Sequence, residues 1–107
     1  MSDELNFSDY QSKAGETAVY PDETPLQYLA LGVVGEAGEI ADKIKKKERD
    51  GELDRKDLSK EIGDVLWYLS QLAGELDMDL GEIAEQNIDK IQDREKRDKI
   101  SGSGDNR

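Results

Sequence analysis

The sequence predicts an all-α fold. Apolar residues recur at spacings of three and four along three long segments, as they do where a helix buries one face. Each of these segments opens on a helix-start signal. No stretch alternates apolar and polar residues with the β-branched enrichment of a strand, and no repeat of solenoid length is present. The 107 residues are most simply one domain. It is expected over 1–100, with the Gly/Ser-rich 101–107 ("SGSGDNR") as a flexible tail.

Four helices are expected in order. "LNFSDYQSKAGETAVY" (5–20) carries the weakest signal, and "YPDETP" then breaks the chain. Thr24, with Pro25 at the first helical position and Gln27 three residues on, reads as a capping box. The second helix follows with a seam of Leu26, Leu29, Val33, Ala37, Ile40 and Ile44. "KKKERDGELD" (45–54) is charged, contains Gly51 and reads as a connection. Asp54 is placed to cap a third helix, whose seam is Leu58, Ile62, Val65, Leu69, Leu72 and Leu76. Asp79, with Glu82 three residues later, starts a last helix through Leu80, Ile83, Ala84, Ile88 and Ile91.

Composition narrows the chemistry. Hydrophobic residues make up 35% and charged residues 38%, so one chain has a thin core and is expected to complete it by self-association. The formal charge of −11 argues against nucleic-acid polymers and acidic membranes as partners and suits divalent cations. Salt adaptation would also produce such acidity, although the many lysines weaken that reading. No cysteine or histidine is present, which excludes disulfides, thiolate and imidazole metal sites and the Ser-His-Asp triad. Any catalysis must run on carboxylates, lysines, tyrosines or a bound metal. No apolar run reaches the length of a membrane span, and "MSDELNFSDY" lacks the pattern of a signal peptide, so a cytoplasmic location is expected.

The polar residues form stripes beside the seams. Gly32, Glu36, Glu39 and Lys43 are spaced 4, 3 and 4, one position before Val33, Ala37, Ile40 and Ile44. Asp57, Glu61, Asp64 and Tyr68 repeat that spacing one position before Leu58, Ile62, Val65 and Leu69. If the two helices pack antiparallel across their short connection, the carboxylate pairs converge. Acidic groups so close require protonation, basic partners or a metal, and oxygen donors suit Mg²⁺ bridging to phosphates. A solvated acidic face is the competing reading. Lys43 reads as an i, i+4 ion pair with Glu39 in preference to a phosphate ligand.

Tyr68 and Trp67 fit either packing or contact with a nucleobase. Ile83, Asn87, Lys90 and Arg94 form a third stripe, suited to phosphate or sugar oxygens or simply to solvent. Gly35 and Gly38 flank Glu36 inside the second helix, where each costs about 1 kcal/mol relative to alanine. They are expected to allow a neighbouring helix or a bound ligand to approach closely.

"GEAGE" followed by "KEIGDVLWYL" resembles the MazG-like all-α nucleoside triphosphate pyrophosphohydrolases. The family pattern, E-x-x-E and then E-x-x-D, reads here as Glu36-x-x-Glu39, twenty-one intervening residues and Glu61-x-x-Asp64. "FSDYQSKAGETAVYP" and "NIDKIQDREKRDKISGSGDNR" extend the likeness over nearly the whole chain. The resemblance implies hydrolysis of a nucleoside triphosphate between its α- and β-phosphates, with nucleotide-pool sanitation as a role. It implies Glu36, Glu39, Glu61 and Asp64 as ligands of Mg²⁺, with Mn²⁺ as a substitute, and Glu36 as the group that orients or deprotonates water. It implies substrate contacts from Tyr68, Asn87, Lys90 and Arg94. It also implies a homodimer, often doubled to a homotetramer, with a four-helix-bundle-type core. The alternatives are a helical oligomer that binds nucleotide or metal without hydrolysis, and a structural assembly whose acids are solvated.

Overall fold

The computed structural model describes residues 4–101. These form four helices, α1 (Phe7–Gly15), α2 (Pro25–Asp50), α3 (Arg55–Glu75) and α4 (Leu80–Ser101), with no strand among the described residues. α4 runs to Ser101, the first residue of the expected tail, and 102–107 lie outside the described residues. No helix of the described residues is long and apolar enough to cross a membrane.

Helix ends differ from expectation where local chemistry overrides the pattern. α1 starts at Asn6, whose Oδ1 accepts from Asp9 N–H at 2.7 Å. It stops at Gly15, short of the expected Tyr20. There Glu16, Thr17 and Ala18 donate to the carbonyls of Lys13, Ala14 and Gly15, and Thr17 Oγ1 donates to Ala14 O at 2.7 Å. These tighter bonds satisfy the last carbonyls and end the helix.

At the start of α2 the expected capping box does not form. Thr24 occupies the cap position without a side-chain hydrogen bond, and Pro25 at the first turn carries the start. The charge run after Ile44 is helical rather than a connection. Lysine, glutamate and arginine are good helix formers, and Lys47 and Arg49 sit in the last turn where the dipole favours cations. Gly51 sets the stop: its φ of 83° is left-handed, and its N–H reaches Lys47 O at 2.6 Å.

The remaining start signals form as expected. Asp54 Oδ1 accepts from Asp57 N–H at 3.0 Å, and Asp79 Oδ2 accepts from Glu82 N–H at 3.0 Å. Between them α3 closes in a Schellman motif. Asp77 takes the left-handed conformation at φ 58°, its N–H bonds Gly74 O, and Met78 N–H bonds Ala73 O at 2.9 Å.

Gln11 of α1 ties this corner together. Its Nε2 donates to Ser70 O and Met78 O, and its Oε1 accepts from Leu80 N–H at 2.9 Å. Ser8 Oγ donates to the capping carboxylate of Asp79. α1 thus bridges α3 and α4, while α2 packs along α3 and makes no contact with α4 among the described residues.

The core of the single chain is small. Leu29 is fully buried, and among the described residues Ala14, Ala73 and Leu80 are the other buried hydrophobic side chains. The α3 seam divides by heptad position: Leu58, Val65 and Leu72 are half-buried, whereas Ile62, Leu69 and Leu76 are exposed. On α2, Val33 and Ile40 are half-buried, but Leu26, Ala37 and Ile44 are exposed. On α4, Ile83, Ile88 and Ile91 are exposed. The seams expected to bury one face therefore remain largely open in one chain.

Candidate metal centre

α2 and α3 face each other with their polar stripes in register. Lys43 meets Asp57 and Glu61, Glu36 meets Glu61 and Asp64, and Gly32 meets Tyr68. Rising numbers on α2 thus match falling numbers on α3. This antiparallel ladder follows from the spacing of 4, 3 and 4 on both helices, which holds each stripe on one face.

At its centre, Glu36, Glu61 and Asp64 each offer an oxygen within 4.8 Å of the others. Glu36 and Glu61 are half-buried and Asp64 is exposed. Burial pushes the Glu36 carboxyl above the usual carboxylate range, and a hydrogen bond with Glu61 and the charges of Asp64, Glu61 and Glu39 push it in the same direction. Such a setting disfavours the ionised form, a penalty that a positive charge would offset. Three convergent oxygen donors fit a hard divalent cation. Glu39 is exposed one turn beyond Glu36; it lies outside the trio, although its charge acts on Glu36.

Lys43 does not form the expected ion pair with Glu39. Its Nζ crosses to α3, 2.6 Å from Asp57 Oδ2 and 3.8 Å from Glu61 Oε2. The hydrogen bond to Asp57 raises the Lys43 ammonium above its ordinary value, and the same bond lowers the Asp57 carboxyl. The register between the helices brings a partner closer than the one available within the helix.

For the flanking glycines, the close approach of a neighbouring helix is not seen within one chain. Among the described residues, a Cβ at Gly35, Gly38 or Gly63 would meet nothing within 4 Å, so no neighbouring helix packs directly on them. Gly32 is the tight position, since a Cβ there would overlap the Tyr68 ring.

Tyr68 belongs to an aromatic group at the end of the ladder. Its hydroxyl hydrogen-bonds Tyr28, which together with burial and the charges of Glu36 and Asp64 raises its pKa. The Tyr28 and Tyr68 ring centroids lie 6.2 Å apart, Tyr20 stacks on Tyr28 at 5.8 Å, and Trp67 meets Tyr68 edge-on at 5.1 Å. Trp67 Nε1 donates to Thr17 Oγ1 at 2.9 Å. Tyr20 Oη donates to Glu75 Oε2 at 2.5 Å. Burial, that bond and the nearby charges of Glu75 and Asp22 push the Tyr20 hydroxyl up to about 12. These contacts hold the α1–α2 loop against α3. From α1, Tyr10 senses the cluster: burial and then the charge of Asp64 raise its pKa.

Tyr28 was within reach of sequence reasoning, because it extends the stripe of Gly32 and Glu36 by one further step of four. Tyr10 and Tyr20 had no such signal. Asn87 and Lys90 are exposed and Arg94 is half-buried on α4. Among the described residues α4 does not touch α2, and neither Lys90 nor Arg94 has an ion pair with the carboxylate trio.

A family model described as the MazG nucleotide pyrophosphohydrolase domain matches residues 24–98, a span that contains every residue of the carboxylate ladder. The chain is also similar to the "Gene 37 protein" of Mycobacterium phage L5. The two are 46% identical over 109 residues, covering 92% of this chain and 96% of that protein. No solved structure matches the chain.

Proposed function

Because the chain belongs to the MazG nucleotide pyrophosphohydrolase domain family, we propose that it hydrolyses a nucleoside triphosphate between the α- and β-phosphates. The products would be a nucleoside monophosphate and pyrophosphate, with nucleotide-pool sanitation as the role. The observation that carries this reading is the convergence of Glu36, Glu61 and Asp64 within 4.8 Å.

Glu36, Glu61 and Asp64, with Glu39 one turn along α2, would hold Mg²⁺ or Mn²⁺. When bound, the cation supplies neutralising charge for the triphosphate and a lowered pKa for water. The chain's own groups do the rest. Glu36, at the centre of the trio, is the proposed group that orients the attacking water or accepts its proton. Tyr68, beside Tyr28, is proposed to border the nucleobase, and Asn87, Lys90 and Arg94 to contact sugar or phosphate oxygens.

Self-association as a homodimer or homotetramer is part of the proposal. The exposed apolar seams of α2, α3 and α4 need a cover, and α4 lies off α2 in the same chain. A second copy is the natural source of both the cover and the missing α4 contacts. The test is a panel of canonical and modified nucleoside triphosphates with Mg²⁺, read by pyrophosphate release. Saturable nucleotide binding without product would instead favour a non-hydrolysing binding oligomer.

A further inference from the structure

Lys43 stands beside the carboxylate trio without belonging to it. Its ammonium is shared unequally: 2.6 Å from Asp57, outside the trio, and 3.8 Å from Glu61, within it. The first distance is a charge-assisted hydrogen bond; the second is attraction without a bond. Lys43 and Glu61 are both half-buried, with side-chain exposures of 26% and 18%, and Glu39 is the further acid whose charge acts on the ammonium.

Asp57 is well placed to hold it. It lies in the first turn of α3, where a helix favours an anion, and its backbone N–H is fixed by Asp54 at 3.0 Å. Without the Asp57 charge, Glu61 is the acid on α3 that the ammonium already faces. A full ion pair there would set the ammonium in competition with a metal cation for the same carboxylate.

We propose that Asp57 is a positioning residue for the metal centre, holding the Lys43 ammonium off Glu61 and so keeping Glu61 available as a ligand. This rests on the metal-site reading above. It assigns Asp57 no contact with metal or substrate, because it acts through Lys43.

The test is Mn²⁺ affinity without nucleotide, measured by calorimetry and checked by the electron paramagnetic resonance of free Mn²⁺. It compares the full-length wild type with Asp57→Asn, Lys43→Met, the double variant and Asp57→Glu. Asp57→Asn is expected to weaken binding about tenfold, Lys43→Met alone to stay within about twofold, and the double variant to return close to wild type, a non-additive cycle. Asp57→Glu, which keeps the charge, is expected to retain most of the affinity. The proposal is overturned if Asp57→Asn leaves affinity unchanged. It is also overturned if Lys43→Met tightens binding by the same factor in both backgrounds, as net charge alone would produce. A wild type that binds no Mn²⁺ removes the metal site and this proposal together. A wild type that binds, with an indifferent Asp57→Asn, removes this proposal alone.

Discussion

The Tyr68 ring lies against the backbone of Gly32, so close that a Cβ at that glycine would overlap it. This contact sets the spacing of α2 and α3 next to Glu36 and Asp64. Gly32→Ala must displace the ring, and such overpacking costs about 1–3 kcal/mol, against a helix-propensity gain of about 1 kcal/mol. Chemical denaturation should show a net loss, accompanied by weaker nucleotide binding. Gly35→Ala and Gly38→Ala meet nothing within 4 Å among the described residues and should stabilise by about 0.5–1 kcal/mol each. A stabilised Gly32→Ala protein with normal nucleotide affinity would contradict the assignment.

Gln11 satisfies three backbone groups at the junction of α3 and α4. Gln11→Ala leaves Leu80 N–H and the Met78 and Ser70 carbonyls without that partner. The expected loss is about 1–3 kcal/mol for a partly buried group left unpaired. Amide exchange should quicken at Leu80 ahead of the α2–α3 contact, and uniform loosening would place the junction elsewhere.

Stability should depend on pH in two opposite ways. The Asp57 carboxyl is lowered by Lys43 from its ordinary 3.8, so its contribution is present above that value and is lost as pH falls through the lower folded value. The Glu36 carboxyl is raised from 4.5, so the folded state binds more protons than the unfolded state and stability falls as pH rises from there through the raised value. Thermal melts across this range should show Glu36→Gln losing the second slope and Asp57→Asn the first. A Glu36→Gln profile that parallels wild type would remove the strained carboxylate from the account.

Divalent metal should relieve that second slope. Mg²⁺ or Mn²⁺ at about a hundred times its dissociation constant should stabilise the fold by about 2.7 kcal/mol, and chelation should reverse the gain. Glu36→Gln and Asp64→Asn should abolish the response. A melting temperature indifferent to metal at neutral pH would count against the site.

Much of this arrangement was legible in the residues. Spacings of 4, 3 and 4 fix a helical face whatever surrounds it, so Glu36, Glu61 and Asp64 were placed on facing stripes before any coordinate. The Asp54 and Asp79 caps were legible because a cap acts within three residues. What escaped depends on tertiary register. Lys43 had an acid in reach on its own helix, and only the α2–α3 alignment makes Asp57 the nearer partner. Gln11 bonds groups 59 to 69 residues away, and no local pattern announces that. The charge run of α2 was misread because polar composition is shared by loops and exposed helices, and only Gly51 marks the true end.

The central claim is tested most directly by the products formed from nucleoside triphosphates with Mg²⁺ in wild type and Asp64→Asn. The account predicts nucleoside monophosphate and pyrophosphate in equal amounts from at least one triphosphate, with turnover lost in Asp64→Asn. Release of orthophosphate in place of pyrophosphate, no turnover across the panel, or an Asp64→Asn protein as active as wild type would contradict it.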